Sequence, residues 1–424
     1  MMLQEQVVSG ILEHLKTSYI GSHGVLATQV DGSTGKVIND TPVIADFGDI
    51  LPFAAMLGEE QFVRAQLNAS QPFLRDGLYA EHGVIQGFYN HDYLLGLIDL
   101  ATVLNDEDLL ITAENAAEAL NQHLLRYGYL LRQSPSRPIF DRTSPFNGGF
   151  IELYVDLAER TSRLDWIDVA QAQAERWISN RFFQRHGLFR RIEFAAPGLV
   201  TDVIGRFAGD PLVRLMKDNS NLVSGLVALY RSRPSKDLKL AILHWLSGLR
   251  HWMIIDGDTV MMHLSREFKA YDPDLRAATA VIELLLDIYQ HVEQDQDWLV
   301  LARKVAERWL GSRWDNGVLP LMIGGPTDHL DANLDFAIAL FNLSEATGET
   351  RWELEGEQII TALIDLHEQP YGYAVAINRD GSIYDTRVIV KYQGLLLKLT
   401  LIDRLRYSGD QDDQKQARAM LRDR

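Results

Sequence analysis

The sequence predicts an all-α fold, an α/α toroid in which six or seven antiparallel helix pairs close into a ring, with short extended segments in the long loops on one face. Three observations carry this. Seven stretches read as helix pairs with short turns inside them. The first helix of each pair is apolar on most faces and the second is amphipathic. A Gly-apolar-apolar motif recurs between pairs. No Pro-, Ser- or charge-rich linker divides the chain, so residues 1–424 are expected to form one domain.

Taken in order, residues 3–19 form an amphipathic helix that supplies an extra outer member. The pairs are 47–57 with 59–75, 89–105 with 108–127, 147–162 with 165–180, and 218–231 with 234–254. They continue as 273–289 with 294–310, 331–347 with 349–367, and 388–405 with 411–423. The turns within pairs carry helix-stop and helix-start chemistry, as in Arg233-Pro234-Ser235 and Ala346-Thr347-Gly348. First helices such as ATAVIELLLDIY and FAIALFNLSEA are too apolar to border water. Second helices such as WLVLARKVAERWL keep a polar face.

The repeated motif is Gly24-Val25-Leu26, Gly77-Leu78-Tyr79, Gly187-Leu188-Phe189, Gly317-Val318-Leu319 and Gly372-Tyr373-Ala374. Glycine suits the left-handed residue that ends an outer helix, and the apolar pair suits a short extended segment. These between-pair connections are long and rich in His, Asp, Asn, Arg and aromatics, so function is expected on that face.

Composition excludes several classes. With 41 Lys+Arg against 58 Asp+Glu, the net charge of −17 argues against nucleic acid as a partner. No cysteine is present, which removes disulfides, thiolate metal sites and thiol nucleophiles. No apolar run is long enough to span a membrane, and the first twenty residues lack the pattern of a signal peptide. A cytoplasmic location is the expectation. Motifs for metal, phosphate loops or serine nucleophiles are absent, so no metal or cofactor is expected.

The starts of the inner helices gather the chemistry. They carry Asp46, Asp49, Asn90, His91, Asp92, Asn147, Glu152, Asp218, Asn219, Asn221, Asp274 and Arg276. Further on come Asp328, His329, Asp331, Asn333, Asp335, Asp385, Arg387 and Lys391. Helix capping explains single members of this set. Asp49, Glu152 and Asp335 lie deeper in their predicted helices, where no cap is needed. Aromatics are interleaved: Tyr79, Phe88, Tyr89, Phe146, Phe189, Trp314, Tyr373 and Tyr384. A polar rim with flat rings is what sugar binding requires, although each ring taken singly suits packing as well. Asn147-Gly148-Gly149 opens a helix and offers a weak anion site.

The layout resembles the six-hairpin glycosidase superfamily. Asn90-His91-Asp92 looks like the His-Asp dipeptide of unsaturated glucuronyl hydrolases, and Phe150-Ile151-Glu152 occupies the place of that family's second acid on the next inner helix. Glu stands there instead of Asp, and the residues after both motifs differ. The resemblance implies a glycoside hydrolase on a soluble oligosaccharide, with uronic-acid-containing oligosaccharides in its range. Asp92 would be the general acid/base and Glu152 its partner. Residue types alone agree, since glycoside cleavage needs two carboxyl groups about one sugar carbon. Asp49, Tyr89, His91, Asn147, Trp314, Asp331 and Asp335 would bind the sugar. Arg387 and Lys391, placed on one helix face at i,i+4, would meet a carboxylate. Three alternatives stand beside this: a sugar epimerase or isomerase using His82, His91, His263, His329 or Tyr392, a polysaccharide lyase using Tyr, His and Arg, and a non-catalytic helical scaffold.

Overall fold

The computed structural model describes residues 2–135, 142–195 and 210–406. The chain divides into two compact units. One comprises residues 1–74, 99–110 and 309–424. The other comprises 75–98 and 111–308. Each is built of helical hairpins.

In the first unit, α1 (Met2–Lys16) is followed by an antiparallel sheet. There the strand Ala27–Asp31 pairs with Val37–Pro42 on one side and with Arg387–Ile389 on the other. A 3-10 turn, Val43–Asp49, leads to α2 (Leu51–Met56) and α3 (Glu60–Ser70). The single helix expected over 47–57 is therefore broken. Asp46 leaves helical geometry, and Pro52, lacking an N–H, sits in the first turn of a helix that restarts at Leu51. Helix α3 stops short of residue 75 because Pro72 follows.

In the second unit, α4 (Gly87–Val103, its last residues belonging to the first unit) pairs with α5 (Glu107–Leu124). Next come α6 (Phe150–Thr161) with α7 (Asp165–Ile178), and a short α8 (Arg181–His186) that the sequence pattern did not announce. Asn180 caps α8 by accepting from Phe182 N. Then follow α9 (Ser220–Ser232) with α10 (Lys236–Trp252) and α11 (Leu275–His291) with α12 (Gln296–Leu310). Back in the first unit lie α13 (Leu330–Thr347) with α14 (Thr350–His367), and α15 (Val390–Arg406). The helix expected over 411–423 lies outside the described residues. Among the described residues, no helix is long and apolar enough to cross a membrane.

The contrast between helices in a pair is physical. Most of α13 is buried, from Leu330 and Leu334 to Phe341 and Leu343, whereas its partner α14 leaves Leu354 55% exposed. Turns end as expected: Gly348 closes α13 at φ 71°.

The Gly-apolar-apolar segments share one device. The five glycines have φ between 67° and 121°, the left-handed region. At Gly187 a side chain would also run into the His244 carbonyl of α10. A buried side-chain amide then clamps the segment. Asn90 accepts from Tyr79 N at 2.8 Å and donates to Tyr79 O at 3.0 Å. Asn219 does the same to Phe189, both at 2.9 Å, and Asn333 to Leu319, at 3.0 and 2.9 Å. Gln393 clamps Tyr373 at 3.1 and 3.3 Å. Gln66 accepts from Leu26 N at 2.8 Å and donates to Gly24 O.

Removing a clamp leaves buried backbone groups without partners. Asn333→Ala is expected to lower unfolding free energy by about 2–4 kcal/mol, the cost of two stranded polar groups. Urea unfolding measures this; a loss within about 0.5 kcal/mol, typical of an unremarkable surface change, contradicts the clamp's importance.

Candidate functional site

The second unit brings the starts of α4 and α6 together. Asn90 is spent on its clamp, which fixes the first turn of α4 and hence the next two residues. His91 Nδ1 lies 2.7 Å from Asp92 Oδ1. The His91 ring is edge-on to Phe150 at 5.1 Å and to Phe146 at 5.6 Å, so it cannot rotate away. Its Nε2 is buried without a hydrogen-bond partner among the described residues. Exposure separates the pair: 5% for the His91 side chain against 34% for Asp92. The carboxylate therefore meets solvent and the imidazole holds it. His91 thus contacts Asp92, where direct contact with sugar hydroxyls was expected.

The glycines after Asn147 have a packing purpose. A methyl on Gly149 would stand 3.0 Å from His91 Nε2 and 3.1 Å from Asn221 Cβ, while Gly148 lies under Leu222. Asn147 itself is buried, and its amide donates to Leu130 O and Leu131 O at 3.1 and 2.8 Å. It is a loop anchor, a correction to the substrate-binding role expected of it, and Asn147-Gly148-Gly149 is a close-packing turn. Glu152 follows two residues beyond Phe150 on α6 and is half-buried. Beside these, Phe88 is 44% exposed and packs on Tyr89 at 5.3 Å and Phe146 at 4.8 Å. Tyr89 is half-buried, leaving part of its ring open.

Most of the other expected stacking rings are core. Tyr79, Phe146, Phe189, Trp314 and Tyr373 are each at most 6% exposed. Trp314 is thereby withdrawn from the sugar-binding set. Tyr384 remains exposed.

In the first unit, the cations are already paired. Lys391 Nζ lies 2.9 Å from Asp49 Oδ2 and 3.4 Å from Asp46 Oδ1. Arg387 Nε donates to both oxygens of Asp385, at 2.9 and 3.0 Å. Arg387 does not share a helix face with Lys391: it lies on the strand Arg387–Ile389, and α15 begins at Val390. Asp331 and Asp335, on the first turns of α13, are half-buried. His329 meets Tyr392 with ring centroids 5.4 Å apart. Asp274 caps α11 by accepting from Arg276 N at 2.9 Å, the plain capping role.

Sequence reading also missed a buried relay. His367 Nδ1 is 2.8 Å from Ala374 O, and Nε2 is 2.9 Å from Asp328 Oδ2, whose other oxygen accepts from Ile377 N at 2.7 Å. The signal was faint, because Asp328 and His367 are 39 residues apart.

No protein-family model matches the sequence, and no curated protein matches it. Solved structures do match in fold. An α-1,2-mannosidase from Trichoderma reesei matches with a TM-score of 0.65 and 14% identity, over 93% of each chain. A D-mannose isomerase matches with a TM-score of 0.60 and 10% identity, over 94% of this chain and 97% of that one. The unsaturated glucuronyl hydrolase of Bacillus sp. GL1 matches with a TM-score of 0.54 and 14% identity, over 94% and 96%. The fold is thus an α/α toroid, shared with these proteins.

The Asp385 carboxyl is held below its ordinary value of 3.8, chiefly by hydrogen bonds from Arg387. A depressed folded-state pKa stabilises above the unfolded value and ceases to do so as pH falls through the folded one. Arg387→Met is expected to lower stability by under about 1 kcal/mol near neutrality, because Arg387 is half-exposed. The difference should vanish on acidification well below 3.8. Urea unfolding of both proteins across that range checks it; a gap that persists in acid contradicts it.

Proposed function

We propose that the chain is a carbohydrate-active enzyme, a glycoside hydrolase acting on an oligosaccharide, with Asp92 as general acid/base and Glu152 as its partner. The observation that carries this is the His91–Asp92 contact at 2.7 Å, in which a buried imidazole orients a carboxylate that still reaches solvent. The likeness in fold to a mannosidase and to an unsaturated glucuronyl hydrolase supports it.

The chemistry follows from the residue types. Asp92, protonated, gives its proton to the glycosidic oxygen as the bond to the anomeric carbon breaks. Glu152 takes a proton from the water that adds to that carbon, and proton exchange with solvent restores both carboxyl groups. His91 is a positioning residue: it fixes the Asp92 carboxyl and touches no sugar. Phe88 and Tyr89 supply an apolar surface for a pyranose face. The absence of cysteine fits a cytoplasmic setting for this activity.

A second reading has its own observation. The His329–Tyr392 pair offers two proton-transfer groups, as a sugar isomerase or epimerase needs, and a D-mannose isomerase shares the fold.

A panel of neutral, uronic and unsaturated oligosaccharides separates these. Asp92→Asn is expected to lower kcat/KM by ~10²-fold or more on the substrate turned over, with unfolding temperature retained. Turnover unaffected by that substitution removes Asp92 from the mechanism. No cleavage, with deuterium entering a free sugar from heavy water and lost in His329→Gln, replaces the hydrolase with the isomerase.

A further inference from the structure

The second unit gathers cations that the reaction above does not use. Arg132, Arg142, Arg191 and Arg214 come from separate stretches of loop, and backbone pairing sets those stretches side by side. Arg132 N donates to Arg142 O at 2.8 Å, and Arg142 lies opposite Phe194 in a short antiparallel pair. Arg191 N donates to Leu212 O at 2.9 Å, and Arg214 follows two residues later, paired with His263. The same layer touches the start of α4: Gly87 N donates to Arg132 O at 2.9 Å, five residues before Asp92.

The charge in this layer is unbalanced. Its buried acids among the described residues are two: Asp218, 1% exposed, whose Oδ2 accepts from Arg214 Nε at 2.8 Å, and Glu193, also 1% exposed, 3.7 Å from Arg190, so the arginines still outnumber them. Burial raises the Asp218 carboxyl, and Arg214, Arg191 and Arg132 oppose that rise. Partial enclosure lowers the Arg132 guanidinium, Asp218 opposes that, and the like charges of Arg191, Arg142 and Arg214 lower it further. Among the described residues, Arg132 and Arg191 form no ion pair, and Arg191 Nε is buried without a hydrogen-bond partner. Lys217, in the left-handed region at φ 69°, holds its ammonium 5.7 Å from the exposed Phe88 ring. Like charges brought together in a chain of net charge −17 repel one another unless an anion joins them. The guanidinium fork matches carboxylate and phosphate oxygens in pairs.

We infer that Arg132 and Arg191, with Arg214 held in place by Asp218, form an oxyanion subsite near Asp92, and that the sugar acted on carries a carboxylate or a phosphate. This rests on the carbohydrate reading above and specifies its substrate class. It also relocates the cations expected for such a group. Arg387 and Lys391 neutralise the chain's own acids, whereas this layer has donors to spare.

Calorimetric titration of the full chain with glucose, glucuronate, glucose 6-phosphate and inorganic phosphate tests the subsite without turnover. One of the anionic sugars should bind at least about tenfold tighter than glucose, as one charge-assisted contact gives. Binding should weaken with added salt. Arg132→Gln and Arg191→Gln should each weaken it about tenfold, with circular dichroism and unfolding temperature unchanged; the accessible Arg132 guards against a folding artefact at Arg191. Preference for glucuronate or for glucose 6-phosphate identifies the group. Asp92→Asn should keep the binding and lose the turnover. Binding no tighter than glucose, or unchanged in both arginine variants, overturns the subsite. If cleavage of a neutral oligosaccharide survives that result, only the subsite falls. Anion binding lost in the arginine variants, with no turnover of any oligosaccharide, keeps the subsite and removes the hydrolase.

Discussion

A buried side-chain amide facing a stretch of extended backbone is the interaction on which each repeat depends. The segment after each left-handed glycine pairs with backbone along one edge at most, as Tyr373 does with Glu368, yet it is buried. An Asn or Gln supplies one donor and one acceptor in the spacing of a peptide, so it stands in for the missing strand. Asn90, Asn219, Asn333 and Gln393 all do so from the start of the next apolar helix. The clamp ties the loop to that helix and sets where the helix's first turn points. His91 and Asp92 follow Asn90 directly, so the geometry of the candidate site is inherited from a structural bond.

The two units treat their charges differently. In the first, cations and acids near the helix starts are already matched, Lys391 with Asp46 and Asp49, Arg387 with Asp385. Arg276 with Asp274 shows that the second unit has such matched pairs too. Its loop layer departs from that pattern, with Asp218 and Glu193 the buried acids among a larger number of arginines. Matched pairs stabilise surface geometry weakly; unmatched ones are costly and mark places where a ligand completes the balance.

Much of the fold was legible because periodicity reports burial directly. Helices α4, α11 and α13 lie within a few residues of their expected bounds, as apolar runs with clean stops. Where the sequence misled, a local residue overruled the pattern. Pro52 and Pro72 cut helices that apolar spacing extended, and Asn180 started one that was too short to show a period. The site was half legible. The Asn-His-Asp run located the start of α4, but nothing in spacing could tell that Asn90 and Asn147 bond backbone while Asp92 meets water. Trp314 and Phe189 looked like platforms because aromatic rings serve cores and sugars alike. The arginine layer was invisible for another reason: its members lie up to 82 positions apart and meet through loop pairing that no period encodes.

The sheet of the first unit sets an order of events for a nascent chain. Gln29 pairs with Ile389, and Tyr19 donates its hydroxyl to Tyr371 O across 352 positions. At ordinary elongation rates the early strand waits roughly 20–70 s for its partner to be made. Over that interval, Ala27–Asp31 is an edge open on one side, and α1 lacks the helix α15 on which it packs. The second unit, drawn from the middle of the chain, is complete long before. A ribosome therefore presents a finished hairpin stack tethered to an unfinished one, and protection of that first strand falls to whatever meets it outside the exit tunnel.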